Sequence, residues 1–341
     1  MNTRINELNE AELPARELLE KLGYTFVPRG VLDAERDSCR AVLLEDRLRE
    51  ALKRLNPWMN DDHVNRVIFN LQNVQATGIS RNQAIHEYLT YGMSLEVEVA
   101  SVRRPRTVQF FDFDLSAPRY GRNEYVVTTQ MRIRLPQERD SRTEDDERQV
   151  IPDLVLFANG IPLVVIEAKA ASLIGEVWKA RAVRQLRRYQ ESRGAPELFD
   201  YNLACVGISG AAAAFGSFGA PEKAYAPWRL TPEAAADANQ RYGIEPKGQA
   251  ELLIGMLEPT VLLDIMRDFV VFEPENGRLV KKLPRYQQYR AVTGAMERML
   301  GENDAEERGG VIWHTQGSGK SLTMLWLATK LRREPRLDNP T

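Results

Sequence analysis

Cysteine and histidine are scarce in this chain. Cys39 and Cys205 lie far apart, which points to free thiols in a reducing compartment and not to a disulfide framework. The three histidines, His63, His86 and His314, form no Cys/His spacing with them, so no zinc site is expected. Long hydrophobic runs are also missing: nothing approaches the ~18 residues of a membrane span. The first ten residues have no apolar core of a secretory signal. An excess of charge of either sign is lacking too. Lys and Arg number 46 against 48 Asp and Glu, a formal net charge of −2. The chain as a whole therefore has no pull toward nucleic acid, and any such contact must come from a local patch. A soluble, cytoplasmic protein without membrane contact is the expectation. Its 341 residues have room for two domains or slightly more.

What is present centres on residues 150–169. Two apolar runs, Leu154–Phe157 and Leu163–Ile166, flank Asn159-Gly160. Asn-Gly between β-formers is a strong hairpin signal, and runs this apolar suit strands buried on both faces. Three charged residues, Asp153, Glu167 and Lys169, sit at the ends of these runs. Charges at the margin of a buried sheet are costly unless something compensates them. Two carboxylates at one point suit a hard divalent cation, and Mg²⁺ typically takes one or two carboxylates plus substrate phosphates. A neighbouring ammonium can then orient water or stabilise negative charge in a transition state.

Register decides whether the pair can meet. A plain two-residue turn would set Ala158 against Ile161 and Asp153 against Ile166, with Glu167 on the other face. A shared cation needs an odd loop, such as residues 159–161, or a bulge before Glu167. In that register Leu154, Leu156, Val164 and Ile166 share the opposite face.

Pro152-Asp153 followed by Glu167-Ala168-Lys169 resembles the PD-(D/E)xK nuclease motif. The run Leu-Phe-Ala-Asn-Gly-Ile-Pro-Leu-Val-Val-Ile-Glu-Ala-Lys is similar to the R (motor and nuclease) subunit of type I restriction enzymes. Downstream, residues 176–193 read as a helix with Lys179, Arg181, Arg184, Arg187, Arg188 and Arg193 against only Glu176 and Glu191. Gln185 and Tyr189, four apart and so on one face, resemble the Gln-x-x-x-Tyr element that accompanies the motif in that family. The amide and phenol could bind a phosphate or hold a water, and Arg181, Arg184 and Arg188 suit backbone phosphates. A basic amphipathic helix with Tyr189 in the core is the plainer reading of the same residues. The resemblance also implies an acid from the first helix, for which Glu10 and Glu12 are candidates.

A second motif lies near the C-terminus. Gly310–Trp313 reads as a short buried strand running into His314-Thr-Gln-Gly-Ser-Gly-Lys-Ser and a helix. This is P-loop chemistry. Gly317, Ser318 and Gly319 bring backbone N–H groups to phosphates, Lys320 reaches the β/γ-phosphates, and Ser321 ligates Mg²⁺. His314 replaces the usual first glycine and is expected to shape the turn. Arg285-Tyr-Gln-Gln-Tyr-Arg290 resembles the Q-motif of superfamily 2 helicase motors, in which Gln288 (or Gln287) would read adenine and Tyr286 could stack on it.

Elsewhere the pattern predicts a helix over 6–22, a helical block over 34–92 and an antiparallel pair within 95–135. The helical block includes Arg36–Leu55, a helix capped by Asp61-Asp62 and one capped by Ser80. Residues 136–149 read as a polar loop, Leu203–Ile208 as a strand and 209–227 as a loop region. Helices over 231–258 and Pro259–Phe269 follow, then a strand at Val270–Phe272.

The expected fold is α/β: a PD-(D/E)xK nuclease with a mixed central sheet flanked by helices, then the start of a RecA-like P-loop domain. Its expected bounds are 1–205 for the nuclease, 206–280 for a connection and 281–341 for the motor. The chain reads as an N-terminal fragment, since a Walker-B acid pair and second lobe cannot fit after Arg333, and such a fragment is not expected to hydrolyse ATP. The resemblance implies Mg²⁺-dependent cleavage of double-stranded DNA coupled to ATP-driven translocation by the whole subunit. Asp153 and Glu167 would hold the metal, alone or with the Ala168 carbonyl, and Lys169, Gln185 and Tyr189 would assist. Modification (methyltransferase) and specificity subunits would be partners. The alternative is a non-catalytic DNA-binding or docking module of a nuclease–helicase from another system.

Overall fold

A computed structural model of the chain describes residues 7–99, 102–114, 121–135, 149–173, 175–301, 308–313 and 315–337. Most of the expected polar loop, residues 136–148, and His314 lie outside the described residues.

The strands are β1 (Thr25–Phe26), β2 (Met93–Val99), β3 (Val102–Val108), β4 (Tyr125–Thr129), β5 (Ile133–Arg134) and β6 (Gln149–Val150). There follow β7 (Leu154–Ala158), β8 (Ile161–Ala168), β9 (Ala204–Ile208), β10 (Ala213–Gly216), β11 (Val271–Glu275) and β12 (Arg278–Lys282). Six of them form one mixed sheet in the order β1-β4-β7-β8-β9-β10. The pairs β1/β4 and β8/β9 are parallel, and the rest are antiparallel. Every residue of β7 and β8 is buried, as expected of strands covered on both faces.

The β7–β8 turn is a tight two-residue one. Asn159 (φ 50) and Gly160 (φ 78) both take the left-handed backbone of a type I′ turn. The fully buried Asn159 amide donates to the Phe110 carbonyl at 2.9 Å, and its oxygen accepts from Glu124 N at 2.9 Å. A Cβ on Gly160 would lie 2.5 Å from the Leu44 carbonyl and 2.8 Å from Leu48 N, so only glycine fits under this loop and helix.

Ala158 pairs with Ile161 and Phe157 with Pro162, but Leu156 then pairs with Val164. Leu163 is therefore an extra residue, a β-bulge, and its carbonyl is taken by Leu203 N at 2.7 Å and Asn202 Nδ2 at 3.2 Å. Beyond it Val155 meets Val165 and Leu154 meets Ile166. A short turn plus a bulge gives the register that brings Asp153 to Glu167.

Helix Val177–Gln190 lies over β8 and β9, burying Trp178, Ala182, Val183, Leu186 and Tyr189. A π-helical turn, Leu8–Glu12, and helix Leu13–Leu22 reach the sheet at β8 and β4. Gly23 ends this helix in the left-handed conformation (φ 112).

Several sequence expectations are corrected. Residues 36–44 are not helical: helices Arg29–Glu35 and Glu45–Leu55 are separate. The buried Arg36 guanidinium bonds the Ala41 and Arg132 carbonyls instead. Asn60 caps helix Asp61–Gln72 in a box with His63, in place of Asp61 or Asp62, and helix Gly78–Tyr91 starts at Thr77, before Ser80. An antiparallel pair does form at the start of the 95–135 stretch, but between β2 and β3; the segments around 108–110 and 126–134 do not pair with each other, because β4 pairs with β1 and β7. Period-two alternation marks a strand and leaves its partner open.

The loop expected at 209–227 contains β10, an Ala-Ala-Phe-Gly strand too small in its side chains to carry a pattern. The boundary expected at 205 falls within β9, and the sheet runs on to Gly216. Asn276 (φ 50) and Gly277 (φ 74) turn a second hairpin, β11–β12. Gly310–Trp313 is not a buried strand: Val311 is 91% and Trp313 88% exposed, and no strand among the described residues pairs with the segment.

The C-terminal helices join the rest through aromatic contacts. Trp228 meets Tyr289 (5.5 Å between centroids), Tyr289 meets Phe269 (4.9 Å), and Phe269 meets Trp326 (5.9 Å). These rings connect helices Pro259–Asp268, Tyr286–Leu300 and Lys320–Arg333.

Candidate active site

The site forms where β7 begins and β8 ends. Asp153 precedes β7 and is held at both ends. Its backbone carbonyl accepts from Gln130 N at 2.9 Å, and its Oδ2 accepts from Ala168 N at 2.8 Å. Glu167, 1% exposed, is the last but one residue of β8, next to Asp153 in the bulged register. Its Oε1 accepts from Lys169 Nζ at 2.6 Å, and the same ammonium donates to the Ala168 carbonyl at 2.8 Å.

Glu167 Oε2 is buried without a hydrogen-bond partner. Burial first, and then the negative charge of Asp153, holds the Glu167 carboxyl well above the usual carboxylate range; the Lys169 ammonium opposes both. A direct bond between two carboxyl groups needs one of them protonated, so with both ionised Asp153 offers Oε2 no donor. An orphaned carboxylate oxygen beside a second carboxylate is the donor set of a hard cation. The residues present fit Mg²⁺, for which Asp153 and Glu167 would be the ligands. Among the described residues no group of three or more His, Cys, Asp and Glu side chains is placed to hold a metal.

Tyr189 stands against the same carboxylates. Its hydroxyl accepts from Gln185 Nε2 at 2.5 Å and donates to the Ile151 carbonyl at 3.3 Å. Burial, and then the Glu167 charge, pushes the phenol far up, so it remains protonated. Gln185 and Tyr189 thus meet as expected, and they brace the strand leading into Asp153. On the same helix Arg181, Arg184, Arg187 and Arg188 are exposed and make no ion pair among the described residues.

Of the two N-terminal acids, Glu12 is buried and its Oε2 lies 3.0 Å from Gln130 Nε2. Glu10 is exposed and accepts from Ala171 N at 3.2 Å. Gln130 contacts both Glu12 and Asp153, at 3.0 Å each. Sequence reasoning missed it as a site residue, because a glutamine in a strand-like alternation carries no signal of a left-handed backbone.

The P-loop residues also gather. Gly317 (φ 77) and Gly319 (φ 83) take left-handed conformations, and helix Lys320–Arg333 begins at Gly319. Gln288 Nε2 donates to the Ser318 carbonyl at 3.0 Å and lies 3.3 Å from that of Gly319, while its Oε1 accepts from Arg285 N at 2.8 Å. Tyr286 lies beneath the Arg290 guanidinium, 4.9 Å from its ring centre. Tyr286, Gln288 and Gly317–Gly319 line an open cleft of about 1890 Å³. Lys320 and Ser321 are exposed at the helix start.

Comparison with known sequences identifies the family. The family described as Type I restriction enzyme R protein N terminus matches residues 4–224. The chain belongs to that family. The R protein match covers the six-stranded sheet from β1 through β10. A SWI2/SNF2 ATPase family matches residues 287–341, beginning inside helix Tyr286–Leu300 and running through the P-loop.

Among relatives, the chain is 32% identical to the type I restriction enzyme HindI endonuclease subunit of Haemophilus influenzae, over 99% of this chain and 31% of that protein. It is 25% identical to a Methanocaldococcus jannaschii protein provisionally named the type I restriction enzyme MjaIXP endonuclease subunit, over 99% of this chain and 32% of that protein. The chain thus spans about a third of the length of these relatives. It is the N-terminal region of an R protein: a mixed α/β domain and the opening of a SWI2/SNF2 ATPase domain. No helix among the described residues is long and apolar enough to cross a membrane.

Proposed function

We propose that the sheet domain is the Mg²⁺-dependent endonuclease of a type I restriction enzyme R subunit and hydrolyses phosphodiesters of double-stranded DNA. The observation that carries this is the juxtaposition of Asp153, Glu167 and Lys169 at one point, with Glu167 Oε2 left without a partner. Asp153 and Glu167 hold the cation, which supplies Lewis-acid polarisation of the scissile phosphate. Ala168 N–H holds Oδ2 of Asp153 and the Gln130 amide holds Oδ1, which fixes the carboxylate while each oxygen keeps a second lone pair for that task. The Lys169 ammonium, anchored on Glu167 and the Ala168 carbonyl, orients the attacking water and offsets negative charge as it grows on the phosphorane oxygens. Tyr189 and Gln185 fix the Ile151–Asp153 segment. The exposed Arg181, Arg184 and Arg188 bind flanking phosphates without reading sequence.

The second part of the proposal concerns ATP. The loop Gly317–Gly319 with Lys320 and Ser321 binds its phosphates and Mg²⁺, while Tyr286 and the Gln288 segment lie at the base of the cleft. In the whole subunit this site drives translocation, and modification and specificity subunits supply recognition of the DNA sequence.

Plasmid cleavage by the assembled enzyme tests the nuclease assignment. Asp153→Ala and Lys169→Ala each remove a group acting in the transition state, so cleavage is lost while assembly and ATP-dependent translocation persist. Retained Mg²⁺-dependent cleavage by either variant refutes the assignment.

A further inference from the structure

Gln130 stands out in two respects. Its backbone is left-handed (φ 55), a conformation that a residue with a Cβ enters only under constraint. Its side-chain nitrogen bridges two acids, lying 3.0 Å from Glu12 Oε2 and 3.0 Å from Asp153 Oδ1. The two features are connected. The left-handed turn at the end of β4 lets Gln130 N donate to the Asp153 carbonyl at 2.9 Å while the amide reaches back to the Asp153 carboxylate. One residue therefore grips Asp153 by its main chain and its side chain.

A carboxamide suits this place. Its NH₂ has two hydrogens, one for each acid, and it brings no charge. Lysine or arginine would also join the two carboxylates, but would neutralise the charge that attracts a cation. Glu12 reaches the pair from the π-helical turn Leu8–Glu12, whose Ala11 carbonyl is held by Gln249 Nε2 at 2.9 Å. The anchor on the far side of the bridge is thus fixed as well.

We propose that Gln130 is a positioning residue of the cation site. It aims the Asp153 carboxylate and couples Glu12 to it, so that Glu12 acts on cation affinity through the Gln130 amide and not as a ligand. The inference rests on the nuclease reading above, and its test separates the two.

The probe is Mn²⁺, titrated calorimetrically into the full 341-residue chain, with thermal unfolding of the metal-free protein as the check on folding. Gln130→Gly keeps the left-handed backbone and removes the amide. Outer groups that orient metal ligands typically contribute about tenfold to a hundredfold in affinity, and a loss in that range is expected here. Glu12→Gln weakens binding by a smaller factor in the parent, and has no further effect in the Gln130→Gly background. Should the glycine variant fail to fold, Gln130→Asn replaces it, since asparagine tolerates the left-handed region and is too short to span both acids.

Parental affinity in the Gln130 variants overturns the positioning role. An undiminished effect of Glu12→Gln in the Gln130→Gly background makes Glu12 a direct ligand and overturns the coupling. A parent chain that binds no Mn²⁺, or whose affinity is unchanged by Asp153→Ala, overturns the nuclease reading itself.

Discussion

Glu167→Gln should stabilise the metal-free protein while destroying the proposed cation site. Glu167 is 1% exposed, its Oε2 has no hydrogen-bond partner, and it shares its position with Asp153. Burial and the Asp153 charge both disfavour the ionised form, and only the Lys169 ammonium supports it. A glutamine keeps the shape, accepts from Lys169 through its oxygen and presents an NH₂ toward Asp153. Replacing buried charge by neutral groups of similar volume is worth on the order of 1–4 kcal/mol where the ion is poorly compensated.

The sign follows from linkage. Unfolded, Glu167 loses its proton near its ordinary value of 4.5; folded, it keeps the proton to a higher pH. Across that interval the native state binds more protons, so stability falls as pH rises from about 4.5 through the raised folded value. The gain from Glu167→Gln should therefore be near zero at pH 4.5, grow with pH and level off once folded Glu167 is ionised.

Urea unfolding in EDTA at several pH values between 4.5 and 8.5 measures this. Mn²⁺ should raise the stability of the parent at pH 8 and leave the variant unchanged, because a bound cation supplies the charge that Glu167 lacks. A variant less stable than the parent at pH 8, or a difference that does not vary with pH, would refute the reasoning.

Two further outcomes are expected. Gly160→Ala places a Cβ 2.5 Å from the Leu44 carbonyl on a left-handed backbone, and should cost at least ~1–3 kcal/mol from backbone strain alone; urea unfolding within ~0.5 kcal/mol of the parent, the range of neutral surface changes, would contradict this. Replacing Arg181, Arg184 and Arg188 together with Ala should weaken binding equally for unrelated duplexes and flatten the log–log salt dependence by up to about 3, at roughly 0.9 per phosphate contact; an unchanged slope in fluorescence-anisotropy titrations would remove these residues from the interface.

The sequence by itself determined the pieces whose cause is local. Asn159-Gly160 between apolar runs specified a hairpin, because few dipeptides accept two left-handed residues. The spacing of Gln185 and Tyr189 set them on one helical face, and Gly317 and Gly319 marked the phosphate loop. Motif order identified the family, since Asp153, Glu167-Ala168-Lys169, Gln185/Tyr189 and the P-loop occur in a characteristic succession.

Only the tertiary structure decided what depends on distant neighbours. The sequence demanded an odd loop or a bulge to unite Asp153 with Glu167, but could not choose between them. The choice fell on a bulge at Leu163, whose carbonyl meets Leu203 and Asn202 from a segment about forty residues away. Strand partnership was equally hidden: β3 turned back on β2, and Ala213–Gly216 joined the sheet without any alternation to announce it. Gln130 was invisible as a site residue, because its role rests on one backbone angle and on two acids, 118 positions before it and 23 after it in the chain. Hydrogen-bond geometry between such remote groups is a property of the packed sheet, and composition and periodicity carry no trace of it.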